Sequence, residues 1–218
     1  MNEMISDKPL FTIVNNFYAF LLVNACFMIS NLLFLVVFFL GIGERSLMLI
    51  SLIPAGPALS GAFYAMGKLQ REKQISPWTD YWKGYKQNFK IALVYWVIQL
   101  ILLFILLNNH YYITRTGNFS VFIFLNLALT IFVAGLNLYA FPIMVRFEMK
   151  VKDLWIISIL YFFRHWKLTF LNVTTVISFA IIYFQFPFLT LLFLTSIVSF
   201  LVMLNLRKVL LEMEGNVR

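Results

Sequence analysis

Aromatic and basic side chains are concentrated between Ser76 and Lys90, and their spacing suits surface recognition more than bond making. At roughly 100° per residue, Trp78, Tyr81, Trp82, Tyr85 and Phe89 fall within an arc of about 100°, with Lys83, Lys86 and Lys90 along one flank. Such rings settle at the headgroup level of a bilayer, and neighbouring lysines reach anionic phosphates or an acidic partner surface. Catalysis has no comparable cluster. His110 and His165 are isolated, no pair has metal-ligand spacing, and no nucleophile stands beside a base. Cys26 lies inside an apolar stretch and reads as a packing residue. Gly41-Ile42-Gly43 lacks the further glycines and the strand–helix setting of a nucleotide loop, and reads as a turn. The expectation is a non-enzymatic protein with no cofactor and no metal.

The element that must carry the aromatic run is a helix. Ser76 is placed as its N-cap, Pro77 as its first residue and Asp80 in its first turn. A second such segment follows at a constant offset of 77 residues. Trp155, Ile159, Phe162, Trp166 and Lys167 correspond to Trp78, Trp82, Tyr85, Phe89 and Lys90, and Asp153 corresponds to the N-cap Ser76. This suggests a duplicated unit of span, amphipathic helix and span, residues 46–109 and 123–186, running parallel in the two copies. Convergence of two aromatic juxtamembrane helices explains the same matches. The second segment is more apolar, so it is expected deeper in the membrane or against protein.

Both segments sit between long uncharged stretches. Residues 11–43, 46–67, 91–109, 116–145 and 168–206 contain no Asp, Glu, Lys or Arg, and the last is interrupted at Gln185-Phe186-Pro187. About 20 helical residues cross a bilayer core. Six spans result, near 14–40, 46–67, 91–109, 119–145, 168–184 and 188–206. With 62% apolar residues and 12% charged, the chain is expected to be an all-α integral membrane protein in a single polytopic domain. The first stretch is twice the length of a signal-peptide core, contains Asn24 and Asn31, and is kept as a span.

Alternate crossing gathers fifteen of the seventeen basic residues on one side, leaving only Arg45 and Arg115 opposite. The positive-inside rule then places both termini in the cytoplasm. The net charge of +8 is a topology signal, and nucleic acid is not expected as a partner. At the start of the second span, small residues recur at spacing four: Gly56 with Ser60, Ala58 with Ala62, Gly61 with Ala65. Pro54 and Pro57 imply a kinked entry, and the small residues serve either ordinary close helix packing or a substrate-lining broken helix. Asn24, Asn31, Asn126, Asn137, Asn172, Thr174, Thr175 and Asn205 punctuate the spans, either as interhelical glue or as the lining of a polar cavity. No ionisable group lies at membrane depth, which counts against an ion-driven carrier.

The run Ile53-Pro54-Ala55-Gly56-Pro57-Ala58, continued by Tyr64, Leu69 and Asp80-Tyr81-Trp82-Lys83-Gly84-Tyr85-Lys86-Gln87-Asn88-Phe89-Lys90, resembles the signature of the YesL-like family of bacterial membrane proteins of unknown function. The resemblance extends to Leu22-Val23-Asn24 and to the aromatic segment before the fifth span. Ala55 stands where that family usually has threonine. The resemblance implies a bacterial plasma-membrane location. It also implies an accessory role beside carbohydrate ABC importers, whose genes often neighbour those of the family. It supplies no catalytic residue. Two functions are therefore expected to compete: a membrane accessory protein that binds an importer subunit, and a transporter of a small neutral solute. Oligomeric state is not legible in the chain.

Overall fold

The computed structural model describes residues 9–41, 44–116 and 120–217, so Lys8, Arg218 and the Ile42-Gly43 half of the Gly-Ile-Gly turn lie outside the described residues. Among them are twelve α-helices and no strand: α1 (Pro9–Ser30), α2 (Leu32–Phe39), α3 (Arg45–Ser51), α4 (Ala55–Glu72), α5 (Pro77–Gln87), α6 (Phe89–Thr116), α7 (Ser120–Gly135), α8 (Asn137–Met144), α9 (Val151–Arg164), α10 (Trp166–Gln185), α11 (Pro187–Asn205) and α12 (Arg207–Val217). A helix satisfies its own backbone polar groups, which an apolar solvent demands. Five segments are long and apolar enough to cross a membrane, and α11 with α12 makes a sixth that bends by 53°.

Several spans are broken, the second where Pro54 and Pro57 imply a kinked entry and others where uninterrupted helices are expected. The first divides at Asn31, whose amide donates to the Phe27 carbonyl at 2.8 Å while its backbone N–H is shared between Phe27 and Met28. The second divides at residues 52–54 and runs on to Glu72. There the Trp96 indole N–H donates to the Leu52 carbonyl at 2.8 Å, which also accepts the Ala55 N–H at 3.0 Å. The third grows to Phe89–Thr116, and the fourth divides at Leu136. The spans expected near 168–184 and 188–206 agree with α10 and α11 to within two residues. Helix α12 has no counterpart among the expected elements. It turns Leu210 and Met213 into the core, and Arg146 ion-pairs with its Glu214.

Helix α4 is the hub, packed against α1, α5, α6, α8 and α11. Its small residues are the reason. A side chain on Gly56 would strike Trp96 of α6, and one on Gly61 would come within 2.9 Å of the Tyr81 carbonyl of α5. Ser60 and Ala65 are fully buried on the same helix, and the Ser60 hydroxyl donates to the Pro57 carbonyl at 2.8 Å.

Three of the eight polar span residues, Asn24, Asn172 and Asn205, join helices. Asn24 of α1 donates to the Leu191 carbonyl at 2.7 Å and accepts the Thr195 N–H at 3.1 Å, so one amide bridges two backbone groups a turn apart on α11. Asn205 of α11 donates to Asn172 of α10 at 2.8 Å. Thr174 and Thr175 bond back to Leu171 within their own helix. A cavity of about 430 Å³ between α4, α10 and α11 is walled by side chains such as Leu59, Phe63, Val176, Leu194 and Val198. Asn24 and Asn31 border a smaller one of about 190 Å³, whose other walls are chiefly Phe, Met and Leu.

Candidate functional site: two short helices at one end of the bundle

Helices α5 and α9 each follow a span and precede another, so both lie at the bundle end where α4 and α8 finish and α6 and α10 begin. Ser76 is the residue before α5, as expected, but its side chain makes no cap bond. Asp80 does that work from inside the helix. Its Oδ2 accepts the Ser76 N–H at 3.0 Å, and its Oδ1 accepts Lys68 Nζ of α4 at 2.9 Å. The Asp80 side chain is only 7% exposed, so removing that lysine would leave a buried carboxyl without its ion-pair partner. Glu72, 3.8 Å from the same ammonium, lies one turn along α4.

The arc of five rings turns out to have two functions. Tyr81 is fully buried, with Pro77, Asp80 and Gly84 beside it, and faces α4 and α1. Ser30 spends its hydroxyl proton on the Cys26 carbonyl at 2.9 Å, so Tyr81 must be the donor in its 2.9 Å bond to Ser30 Oγ. Burial drives the Tyr81 phenol well above the ordinary tyrosine value, against the opposing bond to Ser30; burial alone raises Tyr85. Gly84 lets the helix sit down, because any side chain there would strike Tyr64 of α4. Trp82 and Tyr85 are half-buried against the core that includes α1. Trp78, Trp82, Tyr85 and Phe89 form a continuous stair of rings with centroids 5.3–5.8 Å apart. Only its ends are open, Trp78 at 50% exposure and Phe89 at 42%. Lys83, Lys86 and Lys90 are exposed.

Helix α9 begins earlier than expected. Its N-cap is Lys150, so Asp153 is a first-turn residue favoured by the helix dipole and does not cap. Leu154 and Ser158 are buried, and Trp155 packs against Tyr95 of α6 with centroids 5.1 Å apart. Trp155 therefore belongs to the packing face, whereas Trp166, which opens α10, is 66% exposed. Phe162 fills the space beside Gly135 and meets Phe132 edge-on at 5.1 Å. Thr169 donates to the Phe162 carbonyl at 2.8 Å, which makes Tyr139 the donor in its 2.7 Å bond to Thr169.

The two helices share a register at the 77-residue offset. Asn88 and His165 are the residues at which each short helix ends and the next span begins. Pro77 and Leu154 are both buried, as are Tyr81 and Ser158. Thr79, Lys83 and Lys86 are exposed, and so are their counterparts Ile156, Leu160 and Phe163. Equivalent outward positions are thus hydrophilic on α5 and apolar on α9. This contrast lies outside the aromatic arc and is visible only once the buried face is known. Upstream the offset fails, since the second span breaks at 52–54 and the fourth at 136.

Among the described residues no three His, Cys, Asp or Glu side chains come together. His165 stacks on Tyr161 at the α9–α10 junction, with centroids 5.4 Å apart. No curated protein and no solved structure matches the chain. Residues 20–110, from α1 through most of α6 and including all of α5, match a family described as "Protein of unknown function, DUF624".

Proposed function

We propose that this protein is a non-enzymatic accessory protein of the bacterial plasma membrane. Its termini and short helices are cytoplasmic, and α5 engages a membrane partner, a subunit of a carbohydrate ABC importer. The YesL-like resemblance, consistent with the match at residues 20–110, motivates the choice of partner. The observation that carries the reading is the way α5 is held. Tyr81, Gly84 and the Lys68–Asp80 pair fix it to α4 and α1, while Trp78, Lys83, Lys86, Phe89 and Lys90 remain outward. A pre-positioned helix edge loses little conformational freedom on docking, and exposed lysines between aromatic anchors suit an acidic surface with apolar contacts at its ends.

The alternative, a transporter of a small neutral solute, has less support. A hydroxylated solute needs several free polar partners; the buried Asn137 Oδ1 and Asn172 Nδ2 have no hydrogen-bond partner, but both amide atoms of Asn24 are engaged by α11, Asn172 Oδ1 accepts from Asn205, and the cavities are walled mainly by apolar side chains. The test is co-purification from native membranes of the wild type and of a Lys83→Glu/Lys86→Glu/Lys90→Glu variant. The expected result is an importer subunit with the wild type and its loss with the variant at unchanged membrane level. An unaffected variant, or a wild type that brings down no importer component, overturns the proposal.

A further inference from the structure

Helix α9 exposes what a water-facing helix hides. Ile156, Leu160 and Phe163 are 54%, 55% and 63% exposed on one face, with Ile159 beside them. Because the inward faces of α5 and α9 occupy equivalent positions, this is not a rotated helix showing its core side by accident. Leu154 and Ser158 are buried as Pro77 and Tyr81 are, and the apolar residues stand where α5 has Thr79, Lys83 and Lys86.

The surroundings of the patch identify its neighbour. Beyond Arg164 and His165, α10 again exposes Trp166, Phe170 and Leu171 on a segment long and apolar enough to cross a membrane. Cations border the patch: Lys152 near its start, Arg164 and Lys167 near its end, all exposed. Arg164 lies over the Tyr161 ring at 6.0 Å and Lys167 over Trp166 at 5.8 Å, so both cations stand against an aromatic surface. Asp153 is the one acid on the rim, placed in the first turn. A second copy packed through a two-fold axis brings each patch against itself, and in an antiparallel pairing sets Lys152 against Arg164 of its mate. An apolar face edged by cations fits the acyl–headgroup boundary of an anionic bilayer.

We infer that α9 is embedded at the boundary of an anionic phospholipid leaflet, with Ile156, Leu160 and Phe163 among the acyl chains and Arg164 and Lys167 at the phosphates, while the outward face of α5 stays out of the lipid and, without a partner, meets water. The inference does not depend on the importer reading. Spin labels at Leu160, Phe163, Lys83 and Lys86 test it, each placed singly in full-length Cys26→Ala protein. The protein is reconstituted in phosphatidylcholine vesicles with and without phosphatidylglycerol. The expected ratio of oxygen to aqueous nickel accessibility is severalfold higher at 160 and 163 than at 83 and 86. It falls at 163 when phosphatidylglycerol is omitted or when Arg164→Gln and Lys167→Gln are introduced. Nickel accessibility at 163 equal to that at 86 overturns the embedding. Exclusion of both reagents at 160 and 163 overturns it in favour of a protein contact, and indifference to phosphatidylglycerol and to the two Gln substitutions overturns the anionic requirement.

Discussion

Helices α5 and α9 occupy comparable places in the chain and are anchored by different chemistry. On α5 the seat is polar and close: a carboxylate shared by Lys68 and a backbone N–H, a tyrosine donating to Ser30, and a glycine that admits Tyr64. On α9 the seat is apolar and aromatic, with Trp155 on Tyr95, Phe162 on Phe132, and Leu154 in the main core. The outward faces differ in the same sense, lysine and threonine on one and isoleucine, leucine and phenylalanine on the other. A helix that must stay clear of lipid needs directional bonds to hold it, because its outward side gains nothing from the bilayer. A helix whose outer side is apolar is held from both sides by the hydrophobic effect.

The largest expected effect comes from removing the polar anchor. Asp80→Ala leaves Lys68 without its closest partner and the Ser76 N–H without an acceptor, and is expected to cost about 3 kcal/mol. Thermal unfolding in detergent reads the loss, and hydrogen exchange should show it concentrated in α5 while α9 stays protected. Equal loss of protection in both helices would show that they are held together and break the contrast.

Next is the glycine seat. Gly84→Ala places a methyl against Tyr64 close to its backbone, where little can give, and is expected to cost about 1–3 kcal/mol. Gly67→Ala meets the terminal methyl of Met203, which can swing aside, so a much smaller change in midpoint is expected. Comparable losses at the two glycines would mean that the α5 seat has no special tightness.

These anchors mark the limit of what the chain discloses on its own. The spans are legible because an uncharged stretch of about 20 residues has few alternatives to a membrane helix. The existence of α5 is legible from Ser76, Pro77 and the aromatic period, and the register of α9 from the repeat of that period. The buried side of α5 is not legible, because Tyr81 and Trp82 are alike in type and only contact with Gly61 and Ser30 decides which goes inward. Asp80 reads as a dipole-compensating first-turn acid until Lys68, twelve residues earlier, is brought to it by the fold. The break at 52–54 is announced by Pro54 and Pro57, although its tie from Trp96 to Leu52 is not, and the break at Asn31 has no such signal. Helix α12 has no counterpart among the expected elements, and it is the fold that brings Leu210, Met213 and Glu214 to their partners.

A smaller effect tests the buried hydroxyls. Tyr81→Phe is expected to cost about 1 kcal/mol, since Ser30 keeps its own bond to Cys26. The same residue supplies a pH test. Its folded value is raised by burial, so its contribution is complete below the ordinary tyrosine value of about 10 and is lost as pH rises through the folded value. Wild type should therefore lose α5 protection only at strongly alkaline pH, and Tyr81→Phe should lose less over that range. Identical alkaline profiles would remove Tyr81 from the account.

The smallest effect is expected from exchanging outward residues. Lys83→Leu with Lys86→Phe gives α5 the surface of α9 and should change detergent stability by less than about 0.5 kcal/mol, because those side chains are exposed. A larger loss would show that the lysines hold the helix in place.

The central claim is that the two outward faces meet different neighbours. It is tested most directly by placing a photo-crosslinking phenylalanine analogue at position 86 or at position 163 of the full chain in native membranes. The account predicts a crosslinked importer subunit from position 86 and lipid adducts without a protein partner from position 163. A protein adduct at 163 together with none at 86 would contradict it.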